Sequence, residues 1–168
     1  MRTIGKAVAA VALAFFLSGL FGCSKAPEYT VEDIRSVSIS CGHMDNSRSY
    51  AFYLRKIEGC WMLDAEFAVD TEHPRVAYEA CPVTEEDAGA LLDIVREQEV
   101  LETLRRWKKP RIRLRVSDET AYHTSVLLAD GKQLTAATRI SADLEACFYR
   151  LAEKYRSIAP ETDRPSAD

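Results

Sequence analysis

The sequence YAFYLRKIEGCWMLDAEF, residues 50–67, alternates apolar and polar side chains on both sides of a Glu58-Gly59 turn. The apolar positions are Tyr50, Phe52 and Leu54 before the turn and Trp61, Leu63, Ala65 and Phe67 after it. A period of two residues is typical of a strand with one buried face, and glycine is typical of a tight turn. We therefore predict two strands joined by this turn.

The same alternation continues on both sides of residues 50–67. It predicts further strands at 37–41, 76–80, 112–116, 122–129 and 133–137. Asp130-Gly131 between the last two is a strong signal for a two-residue hairpin. Together with the two strands of residues 50–67, seven strands are therefore expected.

Two other segments have helical periodicity. Thr84 precedes three acidic residues and an apolar stripe that ends at Val95, which predicts a helix with Thr84 as its N-cap. Ser141 stands in the same position before a stripe that runs from Leu144 to Tyr155. The order of four strands, a helix, three strands and a helix predicts an α+β fold. We expect a largely antiparallel sheet with the helices covering one face.

The first 23 residues have the pattern of an export signal. Arg2 and Lys6 precede an apolar run from Ala7 to Leu20, which is short of the ~20 apolar residues that span a bilayer. The run ends in Leu20-Phe21-Gly22-Cys23, which resembles the lipobox of bacterial lipoproteins, although Phe21 stands where a small residue is usual.

The lipobox resemblance implies that residues 1–22 are removed and that Cys23 receives lipid. The lipid would anchor the protein at the outer face of the cell membrane, and Ser24 would permit sorting to an outer membrane in a two-membrane cell. Simple secretion and an uncleaved anchor are the alternatives.

We expect four regions along the chain. They are a signal peptide at 1–22, the lipidated cysteine with a short tether at 23–30, one globular domain at 31–158 and a disordered tail at 159–168. Removal of residues 1–22 takes away two positive charges, so the formal charge moves from −4 to −6. An acidic domain of this kind is not expected to bind nucleic acid.

The four cysteines after Cys23 are an even number in an exported domain, where disulfides can form. The strands on either side of residues 68–74 can pair so that Leu63 faces Tyr78. In that register Cys60 faces Cys81, and apolar residues oppose apolar ones. Cys41 and Cys147 both fall on core-facing positions. The pattern predicts disulfides Cys60–Cys81 and Cys41–Cys147, and free buried thiols are the alternative. The sequence has no closely spaced pair of cysteines of the kind that binds zinc. We therefore expect no metal or other cofactor.

Three arginines, Arg111, Arg113 and Arg115, alternate with apolar residues, so they share the solvent face of the strand predicted there. Such a row could bind anionic envelope polymer or lipid headgroups through forked hydrogen bonds. The alternative is a solvated face that pairs with Asp118 and Glu119 and discourages edge-to-edge aggregation.

Catalytic motifs are less evident. Asp64 and Glu66 lie on one strand face, but hydrolases usually bring such carboxylates together from different elements. The histidines, His43, His73 and His123, form no motif.

Three segments, SYAFYLR (49–55), PVTEED (82–87) and FYRLAEK (148–154), resemble parts of small lipoproteins from anaerobic Gram-positive bacteria. That group has no established activity, so the resemblance implies no catalytic site. The favoured hypothesis is a membrane-anchored, extracytoplasmic domain with a non-catalytic binding or structural role. The alternative is a cell-envelope hydrolase with a carboxylate and histidine site.

Overall fold

The computed structural model describes residues 28–43, 48–68, 75–108 and 120–159. A 3-10 turn at Val31–Asp33 precedes β1 (Ile34–Gly42), β2 (Tyr50–Ile57), β3 (Cys60–Phe67), β4 (Val76–Val83), α1 (Glu85–Glu97), α2 (Val100–Arg106), β5 (Ala121–Leu128), β6 (Gln133–Ala136) and α3 (Ala142–Tyr155). The predicted α+β class is confirmed. The strand predicted at 112–116 lies outside the described residues.

The six described strands form one sheet in the order β4-β3-β2-β1-β5-β6, and every neighbouring pair is antiparallel. The hairpin predicted at residues 50–67 is confirmed, because Tyr50 faces Phe67 and Ile57 faces Cys60. Both turn residues have positive φ, 50° at Glu58 and 90° at Gly59. Two consecutive left-handed residues let a two-residue turn follow the twist of its strands.

The core combines alternate strand residues with the apolar stripes of the helices. Phe52 of β2 stacks on Phe148 of α3 with ring centroids 5.7 Å apart and planes nearly parallel. Both side chains are almost completely buried. This contact holds α3 against the middle of the sheet.

The helix starts are as predicted. The Thr84 hydroxyl accepts a hydrogen bond from the backbone N–H of Asp87 at 3.3 Å, and the Ser141 hydroxyl accepts one from Leu144 at 3.1 Å. The first predicted helix is divided in two, because Glu99 adopts a left-handed conformation with φ of 48°.

The predicted register between β3 and β4 is wrong. Trp61 faces Val83 and Leu63 faces Cys81, whereas the prediction placed Cys60 opposite Cys81. The register shifts between Leu63 and Ala65, so that Asp64 opposes two residues of β4. Such a β-bulge adds one residue to a strand and changes which side chains face the core.

The bulge has a left-handed residue at its centre. Ala80 has φ of 52°, and its backbone N–H donates to Oδ1 of Asp64 at 2.7 Å. An unbroken alternation would bury Tyr78 and then Ala80. Beyond the bulge, the buried residues of β4 are instead Cys81 and Val83.

Candidate functional site

The four cysteines of the described residues are free thiols. Neither predicted disulfide is formed. Cys60 is exposed at the start of β3, whereas Cys81 is fully buried on β4, so the corrected register removes the reason for pairing them. Cys41 and Cys147 do occupy the predicted core positions, with 6% and 1% exposure, where they pack as small apolar side chains.

The buried thiols are poor nucleophiles. Burial raises the pKa of the Cys41 thiol and that of the Cys81 thiol. The Cys81 thiol donates to the backbone carbonyl of Tyr155, with Sγ and O 4.0 Å apart. Because the thiolate is the reactive form of cysteine, neither side chain is prepared for covalent catalysis.

The face of the sheet that carries Asp64 has a shallow groove of about 240 Å³. Its lining includes the carboxylates of Asp64, Glu66 and Glu79, the hydroxyls of Ser38 and Ser40, and Tyr53. Two carboxylates in a concave site are the arrangement that a hydrolase would need. Their hydrogen-bond partners decide whether they can act as acid and base.

Asp64 is committed to the fold. Its carboxylate accepts hydrogen bonds from Nη2 of Arg55 at 3.2 Å and from the backbone N–H of Ala80 in the bulge. Nε of Arg55 completes the ion pair, 3.1 Å from Oδ2. Glu66 pairs with Nε of Arg75 at 3.3 Å. The contacts of Asp64 tie β3 to its neighbours β2 and β4, so its carboxylate is occupied by structural partners.

A partly exposed ionic cluster joins β2 to the first turn of α3. Nε of Arg139 donates to Oε2 of Glu145 at 2.7 Å, and Tyr50 is hydrogen-bonded to the same carboxylate. Burial, followed by this hydrogen bond, raises the pKa of Tyr50, and burial raises the pKa of Tyr149 to about 12. Both tyrosines are therefore protonated at neutral pH, and the cluster acts as a structural tie.

A second cluster, the Asp87 cluster, consists of Thr84, Asp87, Lys154 and Tyr155. The Asp87 carboxylate accepts from the Tyr155 hydroxyl at 2.6 Å and from Lys154 Nζ at 2.6 Å. Hydrogen bonds from Lys154 and then from Tyr155 lower the pKa of Asp87. The Tyr155 hydroxyl also accepts from the backbone N–H of Thr84 at 3.0 Å. The start of α1 is thereby tied to the end of α3.

A cleft of about 740 Å³, here called the N-terminal cleft, lies among the described residues. One side is formed by residues 28–32 and the other by the end of α1 and by α2. Its charged residues are Glu28, Glu32, Arg96, Glu99, Glu102, Arg105 and Arg106. Neither the periodicity nor any motif predicted this cleft, because its two sides are distant in sequence. The only sequence signal was the cluster of basic residues that begins at Arg105.

The predicted lipid site and the predicted arginine row lie outside the described residues. They are Cys23 and Arg111, Arg113 and Arg115. Of the wider basic stretch, Arg105 and Arg106 are described and line the N-terminal cleft.

The two described histidines lie on or next to the neighbouring strands β1 and β5, in which His123 faces Ser40. His43 follows β1, where its backbone N–H donates to the Ser49 hydroxyl at 2.9 Å, and His123 is exposed on β5. His73 lies outside the described residues. No group of three or more His, Cys, Asp or Glu side chains within the described ranges could hold a metal ion.

No protein-family model, curated protein or solved structure matches the chain. Among the described residues, no helix combines the length and apolar character needed to cross a membrane.

Proposed function

We propose that this chain is a lipid-anchored extracytoplasmic protein whose domain has a non-catalytic binding or structural role. The observation that carries the proposal is the lipobox-like Leu20-Phe21-Gly22-Cys23 after an apolar run too short to span a bilayer. Two or more long acyl chains would hold Cys23 almost permanently at the membrane.

The arrangement of the described side chains supports a non-catalytic role. Asp64 is held by Arg55 and by the backbone of the bulge, and burial raises the pKa of the Cys41 and Cys81 thiols. The hydroxyl of Thr84 caps α1 instead of facing a base. A cell-envelope hydrolase, the second function considered, has no comparable support among the described residues.

Replacement of Cys23 by Ala tests the anchor. We expect the Cys23→Ala protein to lose metabolic lipid label and to leave the detergent phase on phase partitioning. Cys60→Ala is the matched control, because Cys60 is an exposed thiol of the folded domain, and it should retain both properties. Label on the Cys23→Ala protein would show that the anchor is elsewhere.

The proposed partners are the membrane, through lipid on Cys23, and anionic envelope polymer or lipid headgroups, through Arg111, Arg113 and Arg115. Three guanidinium groups on one strand face would give a salt-sensitive interaction over a Debye length of ~8 Å. The triple change to Gln should abolish co-sedimentation of the unlipidated domain with cell-wall material or anionic vesicles at low salt. Equal sedimentation of the triple variant and the wild type would reject this partner.

A further inference from the structure

The N-terminal cleft has charges of both signs. Arg96, Arg105 and Arg106 supply three positive charges, and the acidic residues Glu28, Glu32, Glu99 and Glu102 supply four negative ones. Arg96 connects the two sides, because its Nη2 lies 3.6 Å from Oε1 of Glu32. A purely anionic ligand or a purely cationic ligand would therefore meet like charges in the same cleft.

The arginines of α2 share one carboxylate. Nη2 of Arg105 lies 2.7 Å from Oε2 of Glu102, and Nε of Arg106 lies 2.6 Å from its Oε1. The Arg106 side chain is nevertheless 77% exposed. One carboxylate cannot accept hydrogen bonds from all the N–H groups of two guanidinium groups. The remaining N–H donors face solvent, where they can bind a phosphate oxygen.

The cleft also lies close in sequence to the proposed anchor. Glu28, Tyr29 and Thr30 line it, and Glu28 is five residues after Cys23. Five residues extend over at most ~17 Å. Lipid on Cys23 would consequently place this end of the domain at the bilayer surface.

We propose that the N-terminal cleft binds the zwitterionic phospholipid headgroups of the membrane that holds the anchor. The headgroup phosphate contacts Arg105 and Arg106, and its ammonium group faces Glu28 and Glu99. Exposed ion pairs are individually worth only ~0.2–1 kcal/mol, but a short tether raises the effective headgroup concentration to about the millimolar range. The inference rests on the proposed anchor, since the tether makes this weak interaction significant.

A chelating-lipid tether allows the cleft to be tested independently of native lipidation. Residues 24–168 would carry an N-terminal polyhistidine tag and be attached to vesicles that contain nickel-chelating lipid. This part contains the whole buried cluster, which runs from Val31 to Tyr155, so it retains the core needed to fold. Thermal unfolding of each variant checks this point.

Trp107, which directly follows α2, reports the position of the cleft. The other tryptophan, Trp61, is 4% exposed and supplies a constant background. On vesicles of phosphatidylethanolamine and phosphatidylcholine with a headgroup nitroxide, we expect strong quenching of the tethered wild type. Quenching should fall severalfold in the double variant Arg105→Gln/Arg106→Gln.

The double variant Arg150→Gln/Arg156→Gln is the matched control, because both arginines are exposed on the α3 side and the charge change is identical. It should be quenched like the wild type. Equal quenching of the α2 variant and the wild type would overturn the proposal, as would a larger difference between these two proteins on phosphatidylglycerol vesicles, because both proteins retain Arg111, Arg113 and Arg115. A cleft that binds a peptide instead would give no quenching on any vesicle. Absence of lipid on Cys23 is measured separately and would reject the anchor without altering these results.

Discussion

Helices α3 and α2 contact the rest of the molecule in different ways. α3 buries six side chains, Leu144, Cys147, Phe148, Leu151, Ala152 and Tyr155, and its carbonyl at Ala152 accepts from the Tyr78 hydroxyl at 3.0 Å. α2 buries only Val100 and Leu104, and its arginines face the open N-terminal cleft. The comparison separates side chains that stabilise the fold from side chains that remain accessible to a partner.

The largest effect is expected at the packing of α3. Phe148→Ala removes a completely buried ring that stacks on Phe52 and should lower the free energy of unfolding by about 3–5 kcal/mol. Leu101→Ala on α2 should cost less, because Leu101 is only partly buried. Urea unfolding of both variants measures the difference. Equal losses would mean that α2 is as integral to the core as α3.

An intermediate effect is expected in the Asp87 cluster. Asp87→Asn removes the charge that Lys154 and Tyr155 stabilise and should cost about 1–2 kcal/mol. The folded-state pKa of Asp87 is lowered from 3.8, so its contribution is present above that pH and is lost as the pH falls through the folded pKa. Melting temperatures between pH 2 and 6 should therefore depend less on pH in the variant.

Glu102→Gln is the control for Asp87→Asn. The Glu102 carboxylate is paired with two guanidinium groups, those of Arg105 and Arg106, but solvent screens ion pairs at exposed positions. We expect no measurable change in melting temperature at neutral pH. A loss as large as that of Asp87→Asn would contradict the distinction between the two helices.

The smallest effect is expected at the bulge that brings Cys81 beneath α3. Ala80→Gly relieves about 1–2 kcal/mol of left-handed strain but increases the entropy of the unfolded chain by ~0.4–1 kcal/mol. The net result should be a small gain in stability. Ala77→Gly in the same strand should instead be destabilising, and a loss in both variants would argue against the bulge.

Alternation predicted β2, β3 and their turn, because the seven alternating apolar residues from Tyr50 to Phe67 are all buried. Alternation did not predict the register of β4. The bulge there is hard to recognise from the sequence, because its left-handed position is occupied by Ala80 and not by glycine. The trace that does exist is the change of apolar phase from Tyr78 to Cys81 and Val83. The Cys60–Cys81 pairing was wrong for the same reason, because it depended on the register. The Cys41–Cys147 pairing depended instead on core-facing positions, which both residues occupy as free thiols.

The candidate sites were harder to predict than the strands. The N-terminal cleft forms where residues 28–32 meet α1 and α2, and this contact depends on tertiary packing and on the left-handed break at Glu99. The tie between Tyr50, Glu145 and Arg139 is likewise nonlocal. The lipobox-like pattern, in contrast, is local and can be read from four consecutive residues.

The most direct test of the central claim is the intact mass of the protein extracted with detergent from the membranes of its own cells. The account predicts a chain that begins at Cys23 and carries the added mass of acyl chains on that residue. Proteolytic mapping should locate the added mass in the N-terminal peptide. A chain that retains residues before Cys23, or one that begins at Cys23 without lipid, would contradict the account.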